Sequence, residues 1–135
     1  MNQVSIYHDP NCNLFKDSLI GFSKDSYIVS LNNQIIGHFN LIFDTFDENS
    51  ILINYELLRD FRGLGIGNSF YQIIENYIKQ NFDFSQLVLL IHYTNIKSMK
   101  VAIKNDYHID FDYLEEMERN GELNNYNPYV KRKKL

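Results

Sequence analysis

Ile53-Asn54-Tyr55-Glu56-Leu57-Leu58-Arg59-Asp60-Phe61-Arg62-Gly63-Leu64-Gly65-Ile66-Gly67 is the stretch on which the fold turns. Its first half reads as part of a strand from Ile51 to Leu58, with Ile51, Ile53, Tyr55 and Leu57 on one face and Leu52, Asn54, Glu56 and Leu58 on the other. Both faces are largely apolar, which predicts a central strand. The second half is a turn with glycine at every other position, and Phe70, Ile73, Ile74, Tyr77 and Ile78 then recur at helical spacing to about Asn81. A strand that ends in glycines and opens straight into a helix makes an anion site, because the first helical N–H groups lack partners and the dipole end is positive. Gly63, Gly65 and Gly67 let a pyrophosphate approach the backbone, and Arg62 can add a charge-assisted contact. Two other phosphate motifs fit badly. The turn closes with Gly67-Asn68-Ser69, without the lysine of a P-loop, and its third glycine comes one residue too early for a dinucleotide fingerprint.

Working outward, Leu87 to His92 reads as a buried strand, so the central segment is a strand, helix, strand unit with two parallel strands. Upstream, Tyr27–Leu31 and Gln34–Phe43 read as a hairpin joined at Asn32-Asn33, a pair that tolerates left-handed turn geometry. Asp44 to Ser50 reads as a polar loop. Downstream, a second helix is predicted from Asn95 to Asn105, with Met99, Ala102 and Ile103 toward the sheet. Asn120-Gly121 between Phe111–Glu118 and Leu123–Val130 reads as a type I′ hairpin turn. The expectation is one α/β or α+β domain over residues 1–135 with a mixed sheet: a core at 27–107, a hairpin at 108–130 and a basic tail at 131–135.

With 44% apolar residues, the 135-residue chain has material for a core, and its longest apolar runs fall far short of the ~20 residues of a membrane span. The N-terminus lacks a basic-then-apolar leader, and Cys12 has no second cysteine to pair with, so the sequence reads as cytoplasmic. The net charge is −4, and −8 without Lys131, Arg132, Lys133 and Lys134. An acidic body favours a cationic partner such as an amine over nucleic acid or membrane, and the basic end is expected to be a frayed terminus. Glu115, Glu116, Glu118 and Glu122 could attract such a cation. His8 and Cys12 lack companion ligands, and no metal is expected.

The quoted stretch resembles the acetyl-CoA motif of the GNAT acetyltransferases, most closely the branch that includes the ribosomal-protein N-terminal acetyltransferases. Leu87-Val88-Leu89-Leu90-Ile91 takes the place of the next family strand. Asn95-x-x-Ser98, followed by Ala102, Lys104 and Tyr107, resembles the second family signature, Asn-x-x-Ser/Ala leading to Lys-x-Gly-Phe. The resemblance covers roughly Tyr27 to Tyr107. Asp106 replaces the signature's glycine, and Ala102 stands where many members have a tyrosine that protonates the departing thiolate.

The resemblance implies a sheet with two splayed parallel strands and acetyl-CoA as cosubstrate. The pantetheine arm would pair along Leu57, Leu58 and Arg59, with an N–H near Leu57 or Leu58 polarising the thioester carbonyl. Phe61, Arg62, Gly63, Gly65, Gly67 and Asn68 would surround the pyrophosphate, in a turn completed by Leu64 and Ile66. Asn95 would hold the arm or the strand end, and Ser98 would face the cofactor. The implied reaction is direct attack of a primary amine, in a peptide, protein or small molecule, within a ternary complex. Glu56 is the first candidate for the base, since partial burial raises a carboxylate's affinity for protons, and His92 and Tyr93 are the others. Tyr126 and Tyr129 are candidates for the acid. The alternative is a catalytically silent module of the same fold that binds acyl-CoA and acts through a protein partner. A homodimer, formed by exchange of the terminal hairpin, is a further possibility.

Overall fold

The computed structural model describes residues 3–9, 25–43, 50–121 and 125–133. Residues 44–49 of the predicted loop, Cys12 and Glu122 lie outside them, and Ser50, expected in the loop, is the first residue of a strand. Among the described residues, seven strands form one mixed sheet in the order β1-β2-β3-β4-β5-β7-β6, with three α-helices. They are β1 Val4–His8, β2 Ser26–Leu31, β3 Gln34–Phe43, β4 Ser50–Leu57, β5 Gln86–His92, β6 His108–Ile109 and β7 Tyr126–Arg132. The helices are α1 Gly67–Asn81, α2 Ile96–Lys104 and α3 Phe111–Arg119. The chain separates into two compact units, Met1–Ile42 with Ile53–Phe82, and Phe43–Leu52 with Asp83–Leu135. The fold class is the α+β mixed sheet expected.

In the first unit β1, β2 and β3 form an antiparallel meander. Asn32 and Asn33 join β2 to β3 at φ 51° and 66°, both left-handed, as a type I′ turn requires. Asn32 is also tied to the edge, since its Oδ1 accepts from the Gln3 N–H at 2.8 Å. Strand β1 was not read from the sequence: Val4-Ser5-Ile6-Tyr7-His8 alternates only weakly, and Val4 and Tyr7 stay exposed at the sheet edge. The β2–β3 register slips between Val29 and Ser30, since Val29 pairs with Gly37 and Ser30 with Ile35. Ile36 is therefore the extra residue of a bulge. Its carbonyl accepts from the Leu58 N–H at 2.8 Å. Helix α1 buries Phe70, Tyr71, Ile74, Glu75 and Ile78. The Glu75 carboxylate is held within the helix by the Tyr71 hydroxyl at 3.0 Å and the Lys79 ammonium at 3.1 Å.

In the second unit β5 lies parallel to the start of β4, pairing Ser50–Gln86, Ile51–Leu87 and Leu52–Val88, and antiparallel to the whole of β7. Its core includes Ile51, Leu87, Val88, Leu89 and Val130. Helix α2 follows β5 as expected, but only Ala102 of its predicted inward face is buried; Ile103 is 62% exposed. Asn105 and Tyr107, which follow the helix, are buried with it. The helix ends in a Schellman motif, in which Tyr107 N–H bonds the Ala102 carbonyl (3.0 Å) and Asp106 N–H the Ile103 carbonyl (3.1 Å). Asp106 sits at φ 69°, the left-handed position for which the family signature uses glycine. Asp106→Gly should therefore raise stability by about 1 kcal/mol, read as a shift in urea midpoint.

The predicted terminal hairpin is a correction. Phe111–Arg119 is a helix, with Asp110 Oδ1 capping the Tyr113 N–H at 3.0 Å and Tyr113, Leu114 and Met117 on its inner face. Asn120-Gly121 is its C-terminal stop, with Gly121 at φ 68°. A hairpin turn and a helix C-cap make the same demand for a left-handed residue, so the dipeptide alone does not choose between them. The basis for exchange of a terminal hairpin falls with it. Glu115 and Glu116 face solvent on this helix and pair with Arg119. The described part of the basic end, residues 131–133, is tied to the sheet rather than frayed. Lys131 and Arg132 belong to β7, and the Lys133 N–H donates to the Ser85 carbonyl at 2.8 Å. Lys131 and Lys133 lie over the rings of Tyr107 and Phe84. No helix among the described residues is long and apolar enough to cross a membrane.

Candidate functional site

The glycine turn and everything that braces it lie in the first unit. β4 ends at Leu57, a single 3₁₀ turn covers Arg59–Phe61, and Arg62 closes it with its N–H on the Arg59 carbonyl at 3.2 Å. Gly63 and Gly65 follow at φ 76° and 74°. Ile66, at the N-cap of α1, makes no side-chain cap hydrogen bond and no acidic residue lies in the first turn; the first helical bond runs from the Phe70 N–H to the Ile66 carbonyl. The other two helices are capped, α2 by Asn95 and α3 by Asp110. A Cβ built on Gly63, Gly65 or Gly67 would meet nothing within 4 Å. The turn is thus open on its glycine side and sits at the electropositive start of a four-turn helix. Leu64 stands out from it, 63% exposed.

Arg62 is oriented toward the strand end. Its Nε donates to the Leu57 carbonyl at 2.8 Å and its Nη2 to Glu56 Oε1 at 2.8 Å, and its side chain is 53% exposed. The other carboxylate oxygen of Glu56 lies 3.2 Å from His38 Nε2. Beside a guanidinium the carboxylate acts as acceptor, so His38 carries its proton on Nε2 and donates it. His38 on β3 is buried, and burial holds its affinity for protons below the ordinary value of 6.5, against the opposing pull of Glu56. It is neutral at physiological pH. The folded protein then binds fewer protons than the unfolded chain as pH falls below 6.5, so His38 makes the fold lose stability on acidification. Urea midpoints at pH 7.5 and 5.5 should differ more for wild type than for His38→Gln.

Sequence reading missed His38. A histidine inside the apolar run Ile35 to Phe43 gives no signal of its own until the strands bring it to Glu56. Of the two N–H groups considered for the thioester carbonyl, that of Leu58 is committed to Ile36. Strand alternation points the N–H of Leu57 to the opposite edge.

His92, Tyr93, Asn95 and Ser98 lie in the second unit. His92 Nδ1 is 2.7 Å from Thr94 Oγ1 and accepts from the Thr94 N–H at 3.2 Å. A backbone N–H only donates, so Nδ1 is bare and the neutral ring carries its proton on Nε2, where it is a donor. Tyr93, 59% exposed, stacks on the ring at 4.7 Å, and Tyr126 meets it edge-on at 5.1 Å. Tyr129 is buried. Asn95 Oδ1 caps the Ser98 N–H at 3.2 Å, which gives the Asn-x-x-Ser spacing a local structural reason. The described residues hold no cluster of three or more His, Cys, Asp or Glu able to bind a metal.

The fold has clear structural relatives. The N-acetyltransferase PseH of Campylobacter jejuni, also solved in complex with acetyl coenzyme A, superposes with a TM-score of 0.63 at 16% identity, over 81% of this chain and 67% of that one. RimL, a ribosomal L7/L12 alpha-N-protein acetyltransferase in complex with coenzyme A, gives 0.60 at 19% identity, over 79% of this chain and 60% of that one. A Salmonella typhimurium acetyl transferase that modifies the N-terminal serine of the 50S ribosomal subunit protein L7/L12 gives 0.60 at 14% identity, over 97% and 95%. Comparison with curated protein sequences gives no match. The sequence model of the acetyltransferase (GNAT) family matches residues 3–107, which include the glycine turn, β5 and α2. The chain belongs to the GNAT family of acetyltransferases.

Proposed function

We propose that this enzyme transfers an acetyl group from acetyl-CoA to a primary amine by direct attack in a ternary complex. The observation that carries the reading is the glycine turn opening into an uncapped helix, with open space where three Cβ atoms would stand. The donor's pyrophosphate occupies this turn, on the backbone of Arg62, Gly63, Leu64, Gly65, Ile66, Gly67 and Asn68, with Phe61 beside it. The pantetheine arm runs along Leu57, Leu58 and Arg59. Support comes from the β4–β5 ladder, which comprises three pairs at the start of β4. The Leu57 N–H polarises the thioester carbonyl, since that of Leu58 is taken.

The amine nitrogen attacks the thioester carbon, the C–N bond forms, and the tetrahedral oxyanion collapses with cleavage of the C–S bond. The ammonium proton passes to water and the thiolate takes a proton from water. Ala102, fully buried, brings no hydroxyl to replace the family's tyrosine. Glu56, with both oxygens accepting hydrogen bonds, serves better to place Arg62 than to take a proton. His92 presents a donor at Nε2, suited to a carbonyl of the acceptor, and Tyr93 gives an exposed ring beside it. Asn95 and Ser98 enter as the cap that sets the start of α2. The acceptor class favoured is a peptide or protein N-terminal amine, in keeping with the relatives that act on ribosomal protein L7/L12.

Calorimetric titration with acetyl-CoA and CoA, followed by thiol release against peptides, lysine, polyamines and amino sugars, tests the reading. Micromolar binding with thiol released for a peptide amine is the expected result. Binding without turnover on any amine would leave the silent acyl-CoA module instead. No binding by folded protein would overturn the proposal.

A further inference from the structure

A half-exposed ion pair holds its partners weakly, because two flexible side chains must be ordered against solvent. Arg62 and Glu56 are 53% and 36% exposed at the side chain, yet the pair is fixed at three further points. Arg62 Nε is held by the Leu57 carbonyl and the Arg62 N–H by the Arg59 carbonyl. The Glu56 carboxylate is held from beneath by His38, whose side chain is 4% exposed. Gly37, next to His38 on β3, makes this approach feasible: a Cβ there would stand 2.5 Å from the Glu56 carbonyl oxygen. A polar ring is costly to bury without a partner, and this one spends its donor on Glu56.

We propose that His38 is a positioning residue for the donor's pyrophosphate: the buried imidazole fixes Glu56, Glu56 and Leu57 fix the Arg62 guanidinium, and Arg62 sets the turn's donors before any ligand arrives. His38 touches no phosphate. It acts through Arg62, whose side chain is 53% exposed and so accessible to an anion, and whose backbone begins the Gly63–Gly67 run. Donors ordered in advance bind an anion without the entropy cost of ordering them on contact. The inference rests on the reading of the turn as the pyrophosphate site.

The test compares His38→Leu, which keeps the volume and loses the donor, with His38→Gln, whose amide returns a donor at similar reach. Calorimetry should show the Kd for acetyl-CoA raised about tenfold in His38→Leu, as for a lost hydrogen bond to a charged group, and near wild type in His38→Gln. In an Arg62→Ala background His38→Leu should add less than about twofold, because the two residues act as one unit. With an accepted amine, kcat/KM for S-acetylpantetheine, which has no pyrophosphate, should be unchanged by His38→Leu. Equal losses for both donors, additivity with Arg62→Ala, or an unchanged Kd would each overturn the inference. If His38→Leu does not fold, His38→Asn, too short to reach Glu56, takes its place in the same comparison. Wild type that binds no acetyl-CoA would instead sink the functional reading itself.

Discussion

Gly65→Glu is expected to lower affinity for acetyl-CoA by at least about a hundredfold, since a like charge placed against a bound anion costs several kcal/mol. Nothing lies within 4 Å of a Cβ at this position, so the new carboxylate has room beside the turn where the pyrophosphate would lie. Its backbone cost is smaller. At φ 74° a non-glycine residue is strained by about 1–2 kcal/mol, which should show as a modest drop in Tm. Gly67→Ala separates the two effects. Gly67 has no positive φ and equally open surroundings, and opens α1, so alanine there should hold or raise stability by up to about 1 kcal/mol. Its affinity for acetyl-CoA should stay within about threefold of wild type, since the methyl adds no charge and meets nothing within 4 Å. Calorimetry and thermal unfolding on the same preparations read both quantities. If Gly65→Glu binds acetyl-CoA like wild type, the turn is only a helix start.

The elements legible in the sequence were those whose local chemistry admits one answer. Asn32-Asn33 between two apolar runs left little choice but a type I′ turn, and the structure places both residues at positive φ. The glycine turn was legible because strand periodicity stops, three glycines intervene, and helical periodicity begins within a few residues. The segment between α2 and β7 was not. Residues 111–118 carry apolar and charged side chains that a strand or a helix could both arrange, and the deciding feature is the Asp110 cap, a hydrogen bond from a residue outside the apolar pattern. Helix α2 was placed within a residue, yet its inner face was misassigned. Val101, Ala102 and Ile103 are consecutive, and propensity does not say which of them meets β5. In the site, the turn was readable while its brace was not, because His38 and Glu56 are 18 residues apart and meet only through the β3–β4 pairing.

That pairing depends on the absence of a side chain at residue 37, and the second large effect follows from it. Replacing a strand glycine by alanine ordinarily stabilises a protein by about 0.5–1 kcal/mol, through the entropy of the unfolded chain. Gly37→Ala should do the reverse. The new Cβ would stand 2.5 Å from the Glu56 carbonyl oxygen, 2.7 Å from Phe70 Cζ and 3.0 Å from Phe70 Cε1. The first of these is backbone of a paired strand and cannot rotate away. The second belongs to a ring that is 1% exposed and met edge-on by Tyr55 at 6.1 Å, so its rotation is blocked as well. Overpacking of this kind costs about 1–3 kcal/mol, and two unyielding neighbours place Gly37→Ala at the upper end, with Gly37→Val beyond it. Relief can come only by moving β3 from β4, which draws Glu56 off His38 and frees Arg62. Urea unfolding should therefore show a loss of about 3 kcal/mol, and acetyl-CoA affinity measured well below the unfolding transition should fall with it. A stabilised Gly37→Ala would mean that β3 and β4 do not approach as described, and the brace beneath the glycine turn would have to be abandoned with them.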